Sequence, residues 1–233
     1  AVHLKPHGST YRASFEKFAS SRPFPITDLL VNPADGAMYV AYGGRRVQSG
    51  LYRITYVGDE STAPAKPVRA GESERKARRS LEEHLQEEAK VANSSELDRI
   101  WVSLGSDDRG IRHAARAALE KQPVKNWKNR LADEADPVIS TAAMIALARV
   151  DAKGSASAIL AKATSLDYAK TRSLQTRLDL LRSVTLSLTR GDQPNTSDRA
   201  KLIKWLDGIY PASTPDENRD LSAMAAFLNA PFA

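Results

Sequence analysis

The chain has 233 residues and no cysteine. Disulfides, thiolate metal sites, a covalent haem attachment and a cysteine nucleophile are therefore excluded within it. No apolar run approaches the roughly 18 residues needed to span a bilayer. The opening AVHLKPHGST lacks the apolar core of a signal peptide, and a start without Met suits a processed chain or a fragment. There is also no nucleotide-binding glycine fingerprint and no Gly-x-Ser-x-Gly nucleophile elbow. The histidines number four, His3, His7, His84 and His113, and show no ligand spacing on a common helix face. His3 and His7 share an N-terminal segment in which they could approach each other, but no acidic residue lies nearby to complete a metal site.

What is present is a dense, mixed charge: 34 Lys+Arg against 28 Asp+Glu, a net +6. With acids almost as numerous as bases, this reads as a solvated surface, and nucleic acid is disfavoured as a partner. That option would need Arg109, Arg112, Arg116, Lys125, Lys128 and Arg130 to line one concave face. The length allows one large domain or two modest ones, each able to bury a core.

The first quarter has strand character. Residues 26–32 (ITDLLVN), 37–43 (AMYVAYG) and 51–57 (LYRITYV) are rich in β-branched and aromatic side chains and separated by glycine-bearing turns. In NPADG, Pro33 presets φ, Asp35 bonds locally and Gly36 accepts positive φ, so a tight hairpin is expected. The second connection, GRRVQS, reads as a longer loop. Residues 11–18 (YRASFEKF) fit a strand or a short helix. The result is a meander of three or four antiparallel strands with apolar residues on both faces, Tyr52, Ile54 and Tyr56 on one and Leu51 and Val57 on the other. Such a sheet needs cover. Its neighbours belong to a larger sheet assembly, or the helical part covers it; the pattern does not choose.

Residues 59–73, with Pro64, Pro67 and Gly71 and no apolar period, read as a linker. A charged helix follows, ERKARRSLEEHLQEEAKVA, with Leu81, Leu85 and Val91 as anchors. Then DRGIRHAARAALE and DPVISTAAMIALA superpose without a gap at a spacing of 28 residues, Asp108 on Asp136, Ile111 on Ile139, Ala115 on Ala143, Ala118 on Ala146 and Leu119 on Leu147. Each Asp suits an N-cap, Pro137 suits the first helical position, and the Ile/Ala/Ala/Leu spacing makes one apolar stripe. Asp107 and Asp108 are accordingly read as capping residues rather than a catalytic carboxylate pair. Between the copies a further short helix begins at Pro123, so the unit is a helix pair, and helix pairs at a short fixed period indicate an α-solenoid. Candidate helices at residues 155–165, 169–190, 197–210 and 216–229 follow with less regular spacing. Trp101, Trp127 and Trp205 sit in separate helices and are expected to pack. His113, matched by Thr141, is expected to pack or face solvent.

Two resemblances rest on these segments. The pattern Asp108, Ile111, Arg112, Ala115, Ala118, Leu119 looks like the second helix of a HEAT-like repeat. The N-terminal stretch, with Thr27-Asp28, the Asn32 to Gly36 turn followed by Ala37-Met38-Tyr39, and Gly43-Gly44-Arg45 through Gln48-Ser49-Gly50-Leu51-Tyr52-Arg53, resembles the closing part of the β-propeller in large bacterial membrane-bound-dehydrogenase-type proteins, relatives of sorbosone dehydrogenase and soluble quinoprotein glucose dehydrogenases. The resemblance implies a mixed, mainly α chain: a partial β-propeller blade over residues 1–58, the linker at 59–73, and a HEAT-like α-solenoid over 74–233. It implies an extracytoplasmic (periplasmic) dehydrogenase-like parent in which this segment is a non-catalytic scaffold contacting protein partners or other domains of the same polypeptide. The chain has too few strands for a propeller and no Cys-x-x-Cys-His, so pyrroloquinoline quinone and haem c would belong to the parent, with no cofactor held wholly here. Arg45 and Arg46 are the cofactor-binding candidates, because guanidinium groups suit the quinone's carboxylates. The plainer expectation is that they bridge to neighbouring blades or meet solvent, since a cofactor site converges from several loops. A stand-alone α-solenoid interaction module is the competing reading.

Overall fold

A computed structural model describes residues 1–63, 66, 68–171 and 173–232. Pro64 and Pro67, which helped define the expected linker, lie outside the described residues. The chain divides into two compact units, Ala1–His7 with Tyr11–Ala70, and Gly8–Thr10 with Gly71–Ala233. The first is strand-built and the second helical, so the chain is mixed and mainly α.

In the first unit, β1 (Val2–His7) pairs with β2 (Thr10–Phe15), and β3 (Ile26–Val31), β4 (Met38–Gly44) and β5 (Val47–Ile54) form an antiparallel meander. The Asn32 to Gly36 turn forms as its residues dictate. Asn32 Oδ1 accepts from Ala34 N at 3.0 Å, Asp35 Oδ1 accepts from Ala37 N at 3.1 Å, and Gly36 takes φ 66°. The second connection is not the long loop expected from GRRVQS. Gly44 pairs with Val47, which leaves Arg45 and Arg46 as a two-residue turn. β5 consequently starts earlier than the apolar run suggested and ends at Ile54, so Tyr56 and Val57 fall beyond it. β1 alternates Val2 and Leu4 with His3 and Lys5, but the run is short and reaches Pro6 after four residues, so it does not stand out as a strand in the sequence.

Register places Ile26, Leu29, Val31, Met38, Val40, Tyr42, Tyr52 and Ile54 on one face, with Leu30, Tyr39, Ala41, Leu51 and Arg53 on the other. Tyr42 stacks on Tyr52 at 5.0 Å between ring centroids, and Phe24 closes against both at 5.8 and 5.7 Å. Val40 is buried, but Ile26, Leu29, Leu30, Val31, Leu51 and Tyr52 are all exposed, Leu51 by 66%.

The second unit contains, among the described residues, α1 (Glu72–Glu82), α2 (Ser94–Ser103), α3 (Arg109–Glu120), the single turn α4 (Arg130–Asp133), α5 (Pro137–Val150), α6 (Ala152–Ser165), α7 (Leu174–Arg190), α8 (Thr196–Asp207) and α9 (Pro215–Phe227). The charged helix stops at Glu82 and passes into a 3-10 turn, short of the length its sequence suggested. The helix expected from Pro123 is divided into a 3-10 turn at Val124–Asn126 and α4.

Helix starts follow the capping rules. Asp108 accepts from Ile111 N, and Asp136 accepts from Val138 N and Ile139 N with Pro137 following. Asn93 and Glu96 complete a capping box, whereas at the start of α9 Thr214 Oγ1 accepts from Glu217 N and its hydroxyl donates to the Glu217 carboxylate. From these starts α1, α3, α5, α7 and α9 pack in succession as one row, and α4, α6 and α8 follow one another in a second. The matched Ala115/Ala143, Ala118/Ala146 and Leu119/Leu147 are all buried, so small side chains bring α3, α5 and α7 together. The spacing between the caps Asp108, Asp136, Ser173 and Thr214 widens along the chain, which is why the sequence match fades.

The core runs from Leu81 to Leu228 without a residue from the sheet. Trp127 is fully buried and donates to Gln122 O at 3.3 Å; Gln122 in turn accepts from Ala92 N at 2.8 Å. Trp101 donates to Glu134 Oε2 at 2.7 Å under the guanidinium of Arg130, while Trp205 packs on the core and meets Tyr168 edge-on. The expected packing role of the tryptophans is what the fold displays.

Candidate functional site

Three groups of side chains have the chemistry to bind. The first is the Arg45-Arg46 tip. β4 and β5 hold it at the end of the hairpin, both side chains are exposed, and Arg46 sits in the left-handed region at φ 65°, an unfavourable place for a non-glycine residue. The tip offers charge to a carboxylate but no enclosing wall. On the same sheet, Asp35 accepts from Tyr39 OH at 2.9 Å and from Arg53 Nη2 at 3.2 Å. The Ala37 N–H, then Tyr39 and Arg53, hold its carboxyl below the usual range, and the cluster serves to lock the Asn32 to Gly36 turn.

The second group is a cavity of about 360 Å³ within the helical unit. Arg109, Arg112, His113 and Arg116 recur at i, i+3, i+4 and i+7 of α3 and form one wall. Val138, Thr141, Ala142 and Ile145 repeat the same spacing on α5, and Gln175 and Asp179 come from α7. Asp179 accepts from Gln175 at 3.0 Å. Arg112 donates to Ser106 O at 2.5 Å. Arg116 lies 3.6 Å from Glu120, which Arg149 holds more closely at 2.8 Å, and 3.4 Å from His113 Nδ1. His113 lines this basic cavity and is exposed, in keeping with the expectation that it packs or faces solvent.

The third group is buried. Glu217, 1% exposed, accepts from Arg177 Nε at 2.6 Å, Tyr168 OH at 2.7 Å and Thr214 Oγ1 at 2.7 Å. Burial alone would raise this carboxyl, but the bonds from Arg177, Tyr168 and Thr214 outweigh it and hold it at about 2. Burial, followed by the neighbouring carboxylate, pushes the Tyr168 hydroxyl well above its ordinary value. An ionised acid with three donors and a phenol locked in its protonated form make a clamp between α7, α9 and the segment after α6, with no proton to exchange near neutrality. Its one local trace in the sequence is the Thr-x-x-Glu pattern at 214–217; Tyr168 and Arg177 are joined to it only by the fold.

The remaining candidates separate. His3 pairs with Glu16 at 3.2 Å and lies four residues from His7 along β1, about 13 Å at strand rise, so the two do not converge. Among the described residues no group of three or more His, Asp or Glu is placed to hold a metal. Asp108 caps α3 and also accepts from Ser9 N at 2.7 Å and Ser9 Oγ at 2.5 Å, within the helical unit. Its carboxyl, which burial would raise, is brought down to about 2 by Ser9 and the N–H groups of Ile111 and Gly110. Of the six bases needed for a nucleic-acid face, Arg109, Arg112 and Arg116 share the α3 cavity. Lys128 lines a different one with α6, and Arg130 is paired with Asp98 at 2.6 Å.

No family model matches the chain, and no curated protein or solved structure does either.

Proposed function

We propose that the chain is a non-catalytic scaffold and interaction segment of a larger, extracytoplasmic, dehydrogenase-like protein. In this reading the β3–β5 meander is part of a propeller blade, and the helices form a HEAT-like α-solenoid that presents partners or neighbouring domains to one another. The carrying observation is the exposure of Ile26, Leu29, Leu30, Val31, Leu51 and Tyr52 on both faces of one small sheet. A sheet of this size with bare apolar faces calls for flanking sheets. The two helix rows, and the caps and alanine stripe shared by α3 and α5, favour the repeat reading. Arg45 and Arg46 would contribute charge toward the carboxylates of pyrroloquinoline quinone in a quinoprotein parent. The exposed tip lacks the converging walls of a cofactor pocket, so no chemical step is assigned to it, and haem c falls to another segment.

The competing stand-alone interaction module draws on one observation, the helical core that is closed without sheet residues. The test is amide exchange on this chain and on a longer one that restores the sequence encoded ahead of it. Slower exchange across Ile26–Val31 and Val47–Ile54 in the longer protein is the expected result. Unchanged exchange, or an encoded sequence with no strand pattern ahead of the chain, overturns the proposal in favour of the stand-alone module.

A further inference from the structure

We propose that the cavity between α3, α5 and α7 is a docking site for the carboxylate side chains of an acidic peptide segment. This deepens the interaction reading of the helical unit and rests on it. The wall of α3 presents Arg109, Arg112, His113 and Arg116 on one stripe, a ladder of about 10 Å at helical rise. Arg109 and Arg112 stand at the start of α3, where cations oppose the helix macrodipole, so the helix itself gains nothing from them there. The negative side chains within reach are fewer and already engaged. Asp179 accepts from Gln175, and Glu120 sits closer to Arg149 than to Arg116. The cavity therefore carries a positive excess with guanidinium geometry, which suits bidentate carboxylates.

The opposite wall selects among anions. Val138, Ala142 and Ile145 present methyl and methylene groups to the cavity, and Thr141 keeps its hydroxyl on Val138 O at 3.0 Å. Such a wall contacts the aliphatic stem of a glutamate or aspartate while the guanidinium groups hold its head. A nucleobase would want a broad platform of Phe, Tyr or Trp, and the lining residues include none of these. The phosphate track of a nucleic acid would want the further bases Lys128 and Arg130, but Lys128 lines a different cavity and Arg130 is paired with Asp98.

The test uses fluorescence anisotropy of a labelled hexaglutamate peptide, with hexaserine and inorganic phosphate as comparisons, on the full chain at low and moderate salt. Saturable binding of hexaglutamate is expected, weakened roughly tenfold or more by R109Q/R112Q and by a smaller factor in R109Q alone, which disturbs no backbone contact of Arg112. K125Q/K128Q removes the same charge elsewhere and is expected to leave the affinity within about twofold, since surface charge away from a site acts only through screened, long-range attraction. Equal losses in both double variants, no saturable binding, or phosphate binding as tightly as hexaglutamate would overturn the proposal. Peptide affinity and sheet protection are separate readouts, so failure of this proposal is distinguishable from failure of the propeller-blade reading.

Discussion

The two units treat the same kinds of residue in opposite ways. In the helical unit leucine, alanine and tryptophan are buried, and a buried carboxylate such as Glu217 is met by three donors. In the sheet unit Leu29, Leu30 and Leu51 are exposed, and its charged cluster around Asp35 lies at the surface. The contrast teaches that helical periodicity gathers an apolar stripe on one side, whereas alternation in a three-stranded sheet spreads apolar residues over two faces that a small sheet cannot both cover. One unit closes its own core; the other leaves apolar side chains exposed on two faces.

That contrast is broken or sharpened most strongly at the core. Trp127→Ala is expected to cost about 3–5 kcal/mol, the range for emptying a fully buried aromatic site. Leu51→Ala, on the exposed sheet, is expected to stay within about 0.5 kcal/mol. Urea unfolding followed by circular dichroism reads both, and comparable losses would abolish the distinction.

A smaller effect is expected at the clamp. The folded carboxyl of Glu217 lies at about 2 against an ordinary 4.5. Its stabilisation is therefore complete above the ordinary value and is lost as pH falls toward the folded one. Glu217→Gln should lower stability near neutrality by about 3 kcal/mol. The gap to the parent chain should close as pH drops from about 4.5 toward 2; a gap constant with pH would show that the lost charge is not the cause. Asp108 titrates downward over a similar range in both chains and so cancels from the difference.

The smallest effect belongs to the sheet. Arg46→Gly relieves a left-handed backbone and should stabilise the β4–β5 hairpin by about 1 kcal/mol. Slower amide exchange across the turn, with global unfolding unchanged, is the expected signature; faster exchange would mean that the Arg46 side chain supports the turn.

What could be read from the sequence was whatever is encoded locally. The Asn32 to Gly36 turn was legible because Asn32 and Asp35 bond to their own neighbours. The pairing of α3 with α5 was legible because each begins on an aspartate and repeats the same alanines. The Arg45-Arg46 turn was not, since arginine is no signature of a positive φ. Nor was β1, where only Val2 and Leu4 alternate with polar residues before Pro6. Arg109, Arg112 and Arg116 were visible as bases, but only the packing of α5 and α7 against α3 makes a lined cavity of them. The Tyr168, Arg177 and Glu217 clamp unites side chains from distant parts of the chain and leaves no local mark beyond the Thr-x-x-Glu pattern at 214–217.

The three tryptophans at positions 101, 127 and 205 all lie in the helical unit. Indole emission thus reports on that unit alone, and an opening that starts in the sheet is silent in it. The Tyr42, Tyr52 and Phe24 trio adds a near-ultraviolet dichroism contribution from the sheet, overlaid on that of Tyr168–Trp205 and Tyr210–Phe232 in the helical unit. The protein thus carries its own optical label for the helical unit, and on heating a dichroism change that precedes any indole change marks an opening that began in the sheet.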